Sequence, residues 1–255
     1  MKRHIPNTIT CCNLVSGCIA VYFAFQGQYD LALLMIVVGA VFDFFDGMSA
    51  RLLGVSSPIG KELDSLADDV TFGVAPASIV FHWLSVSQFI SQNTVLEANS
   101  SEWSILSIGY LPFLAFLIAA FSALRLAKFN LDERQTTSFI GLPTPANALF
   151  WGSLIVWLHN KQMLELDNPA SLPTCYIYIV LLLIPLSCYM LVAELPLFAL
   201  KFKQWGWRGN EVKYIFLLTS AVMILVMGIL GLAAVIAWYV LLSILSSRLS
   251  SNSQH

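Results

Sequence analysis

The sequence predicts an all-α integral membrane protein, a polytopic bundle of about eight transmembrane helices. Hydrophobic residues make up 58% of the 255 residues and charged residues only 11%, whereas a soluble domain carries about 25% charged residues. The mean hydropathy is +0.76. Apolar stretches of about 20 residues, the length that crosses roughly 30 Å of hydrocarbon, recur along the chain. A soluble globular fold is therefore excluded.

Eight apolar segments are long enough to be considered as spans. They cover residues 8–26, 30–53, 62–86, 104–127, 144–160, 174–193, 213–228 and 230–247. The last two surround Gly228 and Gly231, so this region forms either one long kinked helix or two short helices. Because glycine lowers helix stability, we favour two short helices. The prediction is a core of six helices followed by two C-terminal helices.

The segment 196–205 mixes apolar and basic residues. This composition is typical of an amphipathic helix lying on an anionic membrane surface. It is equally typical of a plain basic loop, and both alternatives stay open.

The distribution of basic residues predicts the orientation of the bundle. With eight spans and the N-terminus inside, twelve of the thirteen Lys and Arg residues fall on the cytoplasmic side, and only Lys161 does not. Cytoplasmic loops collect basic residues, so this bias supports the topology. The twelve are Lys2, Arg3, Arg51, Lys61, Arg125, Lys128, Arg134, Lys201, Lys203, Arg208, Lys213 and Arg248.

Four carboxylates lie within or beside the second and third predicted spans. A carboxylate inside a membrane helix costs about 2.5–3.5 kcal/mol, so such residues are rare and usually functional. Residues three or four apart share one face of a helix. Two such faces turned toward each other would form an all-oxygen pocket, which suits Mg²⁺ or Mn²⁺ and the phosphate oxygens these cations also bind. The two sets are Asp43 with Asp46, and Gly60 with Asp64 and Asp68.

Small residues and one arginine accompany these acids. Gly47, Ala50 and Gly60 leave room for a bulky ligand against the helix backbone, and Arg51 supplies a fork of donors suited to a pyrophosphate. Interhelical salt bridges would explain one or two of the acids. They do not explain four acids, two glycines and an arginine together, so we predict a metal-dependent site for a polyphosphate compound.

The pattern D-x2-D-G-x2-A-R-x8-G-x3-D-x3-D over residues 43–68 resembles, without a mismatch, the signature of the CDP-alcohol phosphotransferases. These integral membrane enzymes displace CMP from a CDP-linked donor with an alcohol. Four further segments are similar to the branch of the family whose acceptor alcohol is serine. The resemblance covers residues 3–150 and continues more loosely through 193–196. The four segments are 5–10, 63–76, 125–130 and 141–146.

The resemblance implies transfer of the phosphatidyl group from CDP-diacylglycerol to L-serine in phospholipid biosynthesis. It implies a divalent metal, Mn²⁺ or Mg²⁺, and Asp68 both as a ligand and as the general base that deprotonates the serine hydroxyl. It also implies a homodimer among membrane lipids and no nucleic-acid partner. The implied metal ligands are Asp43, Asp46, Asp64 and Asp68, and the implied contacts to CDP-diacylglycerol are Asn7, Thr10, Gly47, Ala50, Arg51, Ser57 and Gly60.

Arg125 and Lys128 lie at the cytoplasmic end of the fourth predicted span. Both approach the mouth of the expected site, so they are candidates for binding the serine carboxylate or the donor phosphate. Anchoring of the span by the positive-inside rule would explain them equally well.

The expected organisation is a single membrane domain over 1–255. Its catalytic core is 1–195, and 196–255 comprises the amphipathic segment and the last two spans. The expected location is the inner or cytoplasmic membrane, with the site facing the cytoplasm.

Two alternatives remain. Related enzymes that use glycerol 3-phosphate or inositol phosphate would share the signature. A cation transporter could also carry buried acids, but it needs them accessible in turn from both sides of the membrane, and all four acids here are expected in the cytoplasmic half.

Overall fold

The computed structural model describes residues 4–55, 57–97, 109–131, 139–164, 174–197, 206 and 210–252. Over these residues the chain is an all-α bundle, as predicted. The helices are α1 His4–Phe25, α2 Tyr29–Leu53, α3 Pro58–Asp69, α4 Ala75–Glu97, α5 Leu117–Leu131, α6 Thr144–Leu164, α7 Thr174–Val192, α8 Glu211–Met227 and α9 Leu230–Asn252. A π-helical turn, Val70–Val74, joins α3 to α4, and a 3₁₀ helix, Leu111–Phe116, leads into α5.

Five helical segments of the described chain are long and apolar enough to cross a membrane, so the protein is a multi-pass membrane protein. They are His4–Phe25, Tyr29–Leu53, Pro58–Phe89, Leu111–Leu131 and Cys175–Val192. The other three predicted spans correspond to α6, α8 and α9, which are helical but are shorter or less apolar than these five. Helix α8 has 17 residues, which gives a length of about 26 Å. The uninterrupted apolar part of α9 is Leu230–Ser246.

Helix α6 is 21 residues long, but polar residues lower its hydropathy. It packs against α2, α4, α7 and α9, and one face of it is fully buried, including Asn147 and Trp151. The Trp151 indole Nε1 donates a hydrogen bond to Ser187 Oγ of α7 at 3.1 Å. Because protein rather than lipid surrounds much of α6, the helix does not need a continuous apolar surface.

The turn between α2 and α3 folds the two acidic segments toward each other. Gly54 ends α2 with a positive φ of 60°, a conformation that costs glycine little. Ser57 then caps α3, accepting a hydrogen bond from the Gly60 N–H at 3.0 Å, and Pro58 occupies the first turn. This connection is short, and side chains from the C-terminal part of α2 and from α3 line one cavity.

Two glycines let the π-helical turn pack closely between α1 and α2. A Cβ on Gly39 would lie 2.5 Å from Thr71 Cγ2, and a Cβ on Gly17 would also collide with Thr71. The Thr71 hydroxyl donates to the Asn13 carbonyl oxygen at 3.0 Å. This contact fixes the height of the end of α3, where Asp68 lies, against α1 and α2.

The C-terminal region forms two helices rather than one kinked helix, as favoured from the sequence. Gly228 has a φ of 58° between α8 and α9, and the two helices pack against each other while α9 also packs on α6. Pro196–Leu197 pairs antiparallel with Phe139–Ile140. The rest of the predicted amphipathic segment, 198–205, lies outside the described residues.

Candidate metal and nucleotide site

Three aspartates from α2 and α3 form one cluster. Asp43, Asp64 and Asp68 each offer a carboxylate oxygen, and these oxygens lie within 4.8 Å of one another. All three side chains are partly buried. Oδ1 of Asp64 is buried and has no hydrogen-bond partner among the described residues. An all-oxygen donor set with an unpaired buried acceptor fits a hard divalent cation, which would also offset the repulsion between the carboxylates.

Asp46 lies beside this cluster but is held separately. Its side chain is 6% exposed, and Oδ2 accepts a hydrogen bond of 2.6 Å from the Thr10 hydroxyl of α1. It is one helical turn from Asp43 and lines the same cavity as Asp64. The structure thus brings three of the four expected metal ligands into one group and places the fourth at its edge.

A cavity of about 490 Å³ adjoins the acids, between α1, α2 and α3. Ligand pockets typically have volumes of about 300–1,000 Å³, so the space suits a nucleotide-sized group. Every residue expected to contact CDP-diacylglycerol lines it. The lining residues are Pro6, Asn7, Thr10, Asp46, Gly47, Ala50, Arg51, Gly54, Val55, Ser57, Gly60, Lys61 and Asp64.

The two signature glycines have different surroundings in this cavity. A Cβ on Gly47 would have only the Arg51 Nη2 atom nearby, at 4.0 Å, so this position faces open space. A Cβ on Gly60 would lie 3.0 Å from Ser57 Oγ and 3.2 Å from Asn7 Oδ1. Gly47 therefore leaves room for a ligand, whereas Gly60 allows α3 to begin close to α1.

The donors around the cavity favour an anionic ligand. The Arg51 Nε donates to the Gly47 carbonyl oxygen at 3.0 Å, which leaves the terminal guanidinium nitrogens for a ligand. The N-terminus of α3, which begins at Pro58, also contributes the positive end of the helix dipole. Phosphate groups are the ligands that such a combination binds well.

Arg125 and Lys128 differ in the structure although both belong to α5. Arg125 is 8% exposed, lies within electrostatic range of Asp68, and its Nε has no hydrogen-bond partner in the described part of the chain. Lys128 is exposed. Neither residue lines the cavity. Arg125 therefore approaches Asp68 from α5 without being part of the cavity lining.

Further unpaired polar atoms lie on the α5 side of the π-helical turn. Ser122 is fully buried, and neither its hydroxyl nor Oδ1 of Asp69 has a hydrogen-bond partner among the residues described. The two residues are close, because a Cβ on Gly73 would lie 2.7 Å from Asp69 Oδ1 and 3.0 Å from Ser122 Cβ. Together with Arg125 they form a second polar region next to Asp68.

Two site residues were missed from the sequence. Asn13 of α1 is fully buried and its Nδ2 donates to Asp68 Oδ1 at 3.0 Å. Lys61 lines the cavity, and its Nζ donates to the Asn130 carbonyl oxygen at 3.0 Å. The spacing of Asn7, Thr10 and Asn13, each three residues apart on α1, was a usable signal for Asn13.

The fold and the site define a membrane-embedded helical protein in which a carboxylate cluster adjoins a cavity suited to a phosphorylated ligand. The sequence model for the CDP-alcohol phosphatidyltransferase family matches residues 3–188. The chain belongs to this family, which confirms the resemblance.

Curated relatives agree with this assignment. The chain is 37% identical to a Bacillus subtilis protein over 143 residues, which is 56% of this chain and 70% of the relative. It is 34% identical over 158 residues to a Helicobacter pylori protein and 29% identical over 189 residues to a Mycobacterium leprae protein, with 61% and 64% of this chain covered. The matches span 58% and 56% of those two relatives. All three are named CDP-diacylglycerol–serine O-phosphatidyltransferase.

Proposed function

We propose that this chain transfers the phosphatidyl group from CDP-diacylglycerol to L-serine, yielding phosphatidylserine and CMP. The observation that carries the proposal is the carboxylate cluster of Asp43, Asp64 and Asp68 beside a cavity that all the expected donor-binding residues line. The names of the relatives support serine as the acceptor. Enzymes that use glycerol 3-phosphate or inositol phosphate remain the alternative.

The four aspartates would hold the divalent metal, Mn²⁺ or Mg²⁺. When bound, the metal would stabilise the negative charge that develops on the departing CMP. Asp43, Asp64 and Asp68 would supply the central oxygen ligands. Asp46 would contribute from the edge, with its orientation set by Thr10.

The donor would lie partly in lipid and partly in the cavity. Arg51 and the N-terminal turn of α3 would bind the diphosphate, and the cavity between α1 and α3 would take the cytidine. The acyl chains would remain in lipid beside α2, where Phe44 and Phe45 are 61% and 44% exposed next to the acids. This arrangement requires no passage of the lipid through the bundle.

Asp68 would act as the general base. Its carboxylate would accept the proton of the serine hydroxyl as that oxygen forms a bond to the β-phosphorus of the donor. The bond between this phosphorus and the CMP oxygen would break, and CMP would leave with the electron pair. Asp68 is grouped with Asp64, which lines the cavity, and lies within electrostatic range of Arg125, and this location supports the role.

Serine would bind on the α5 side of Asp68. The buried guanidinium of Arg125 would bind its carboxylate, and the neighbouring polar groups of Ser122 and Asp69 would lie within the same region. Lys128 would contribute at most from the entrance, because its side chain is exposed.

We further propose an inner or cytoplasmic membrane location with the site open to the cytoplasm, which the distribution of basic residues supports. The family match over 3–188 supports a catalytic core of 1–195. A homodimer is expected from the related enzymes. Its test is the mass of the purified protein–detergent complex by light scattering, with the detergent contribution subtracted.

The test of function is CMP release by the purified protein in detergent with CDP-diacylglycerol and Mn²⁺ or Mg²⁺. L-Serine, glycerol 3-phosphate and inositol phosphate would be supplied in parallel. We expect release with serine alone and none after addition of a chelator. Release only with another alcohol would replace the acceptor, and no release with any alcohol would favour the transporter alternative.

A further inference from the structure

Helix α1 supplies hydrogen-bond donors to two of the four aspartates. Thr10 donates to Asp46 Oδ2, and Asn13, one turn later, donates from Nδ2 to Asp68 Oδ1. The two donors are three residues apart, so they lie on one face of α1. Farther along the same helix, the buried positions are occupied by Ala20 and Ala24. Ser16 is also buried on this helix, but its hydroxyl bonds to the helix backbone, so among these residues Thr10 and Asn13 are the ones that donate to the acids.

Contacts hold both the backbone and the side chain of Asn13 in place. The Thr71 hydroxyl donates to its backbone carbonyl oxygen at 3.0 Å. A Cβ on Gly39 would lie 2.9 Å from Asn13 Oδ1, so the amide lies directly against the backbone of α2. These contacts leave the amide little freedom to rotate away from Asp68.

The orientation of the amide follows from the charge of its neighbour. With Nδ2 facing Asp68, an N–H group points to a carboxylate oxygen. The reverse orientation would place the amide oxygen against the carboxylate oxygen, and the two acceptors would repel each other. Asn13 thus donates to Oδ1 of Asp68 and leaves Oδ2 for other partners.

A contribution to stability alone does not account for an asparagine at position 13. Its Oδ1 is buried without a hydrogen-bond partner in the described part of the chain, and an unpaired buried polar atom costs stability. An apolar residue of similar volume would avoid that cost. Retaining an asparagine here gains one specific feature, the hydrogen bond to Asp68.

We infer that Asn13 is a positioning residue for the transfer reaction, holding the Asp68 carboxylate so that one oxygen is fixed by the protein and the other serves the metal and the serine hydroxyl. The inference rests on the proposed function of Asp68. Groups that orient metal-binding side chains typically change metal affinity or activity by about 10–100-fold when they are removed. The same range is expected here.

The experiment compares Asn13→Leu, which keeps the branched shape of the side chain but removes the donor, with Ser16→Ala as a matched control. Ser16 is also buried on α1, but its hydroxyl donates to Cys12 O of its own helix at 2.9 Å. Both variants would be purified in detergent. The measurements are thermal stability, Mn²⁺ affinity by electron paramagnetic resonance, and kcat and KM from CMP release.

For Asn13→Leu we expect kcat to fall about 10–100-fold and Mn²⁺ affinity to fall about tenfold, with KM for CDP-diacylglycerol and the Tm close to those of the wild type. Ser16→Ala should match the wild type in all four measurements. Should Asn13→Leu not fold, Asn13→Ala removes the same donor without adding volume, and the same results are expected.

Unchanged kcat and Mn²⁺ affinity in a folded Asn13 variant would overturn the inference. So would an equal loss in Ser16→Ala, because that pattern indicates general disturbance of α1. Mn²⁺ affinity does not depend on the identity of the acceptor. If the wild type released no CMP with serine, the proposed function would fail while the Mn²⁺ comparison still decided the role of Asn13.

Discussion

The two ends of the helical bundle differ in whether their buried polar groups are hydrogen-bonded to one another. At the end that contains the aspartates, the site end, several buried polar atoms have no hydrogen-bond partner among the described residues, including Asp64 Oδ1, Asn13 Oδ1 and Arg125 Nε. The opposite end of α2 begins at Tyr29, which lies 14 residues before Asp43, or about 21 Å at 1.5 Å per residue. There, the polar side chains pair with one another.

The pairing at the opposite end connects three helices. The Tyr29 hydroxyl of α2 and His82 Nδ1 of α4 are hydrogen-bonded at 2.9 Å. The Trp83 Nε1 donates to Gln162 Oε1 of α6, and Gln162 Nε2 donates to Ser87 Oγ of α4, both at 2.9 Å. Each of these side chains is hydrogen-bonded to another one, as expected for groups that hold helices together.

This contrast separates the polar residues that would serve the proposed reaction from those that hold the helices together. Polar groups inside a membrane protein are costly unless they are paired. At the opposite end the protein itself provides the partners. At the site end, under the proposed function, a metal, the donor lipid and the acceptor alcohol would supply the partners. Substitutions at the site end should therefore change activity more than stability, and substitutions at the opposite end should do the reverse.

The largest expected effect is that of Asp68→Asn. The amide keeps the size of the side chain but cannot accept the serine proton as a carboxylate does. A positioned general base contributes about 10²–10⁴-fold to the rate, so kcat for CMP release should fall by about that factor while the Tm stays close to that of the wild type.

The matched control is Asp30→Asn, the same chemical change at an exposed position at the opposite end of α2. It should leave kcat unchanged. Comparable activity of Asp68→Asn and the wild type would remove Asp68 from the proposed mechanism and weaken the contrast between the two ends.

A smaller effect is expected for Arg125→Met, which keeps most of the side-chain length and removes the charge. Hydrogen bonds to charged groups contribute about 1.5–3 kcal/mol, so KM for serine should rise about 10–150-fold. KM for CDP-diacylglycerol should change little, because Arg125 does not line the cavity.

Lys128→Met is the matched control for Arg125→Met, because Lys128 lies on the same helix but is exposed. We expect its KM for serine to be close to that of the wild type. Equal increases in both variants would show that α5 acts through its overall positive charge, and that burial beside Asp68 does not distinguish Arg125.

The donor side of the site is tested by Gly47→Leu. The glycine Cβ position faces open space, with only Arg51 Nη2 at 4.0 Å, so a leucine should be accommodated by the folded protein but should fill part of the cavity. Overpacking a well-filled space costs about 1–3 kcal/mol, and we expect KM for CDP-diacylglycerol to rise about tenfold when the ligand meets this side chain. Gly47→Ala should have a clearly smaller effect, and the measured order of the two variants decides whether the cavity holds the donor.

The acidic part of the site end was predictable from the sequence, because the relevant spacing there is local. The separations of three and four residues predicted that Asp43 and Asp46, and likewise Asp64 and Asp68, share helix faces. The structure brings Asp43, Asp64 and Asp68 together. The all-α membrane class followed directly from composition.

Features that depend on packing between distant segments were not predictable in the same way. The hydrogen bond from Asn13 to Asp68 joins residues 55 positions apart, and it depends on the close approach that Gly17 and Gly39 allow at Thr71. The burial of Arg125 and the exposure of Lys128 depend on which face of α5 meets the π-helical turn. The sequence also overstated the apolar surface of α6, because it does not show which helix the others surround.

The smallest expected effect, and the sharpest test of the opposite end, is that of Gln162→Leu. This change removes the acceptor for Trp83 and the donor to Ser87 while nearly keeping the volume. Interhelical hydrogen bonds in membrane proteins contribute about 0.6 kcal/mol on average and up to about 1.7 kcal/mol, so the loss of two should lower the free energy of unfolding by about 1–3 kcal/mol.

The measurement is unfolding of the purified protein in mixed micelles with a denaturing detergent, alongside CMP release below the unfolding transition. Reduced stability with unchanged kcat and KM is expected, because the partners at this end are all protein. A lowered kcat with unchanged stability would mean that the two ends are coupled through α4 and α6, and that the pairing at the opposite end also serves the reaction.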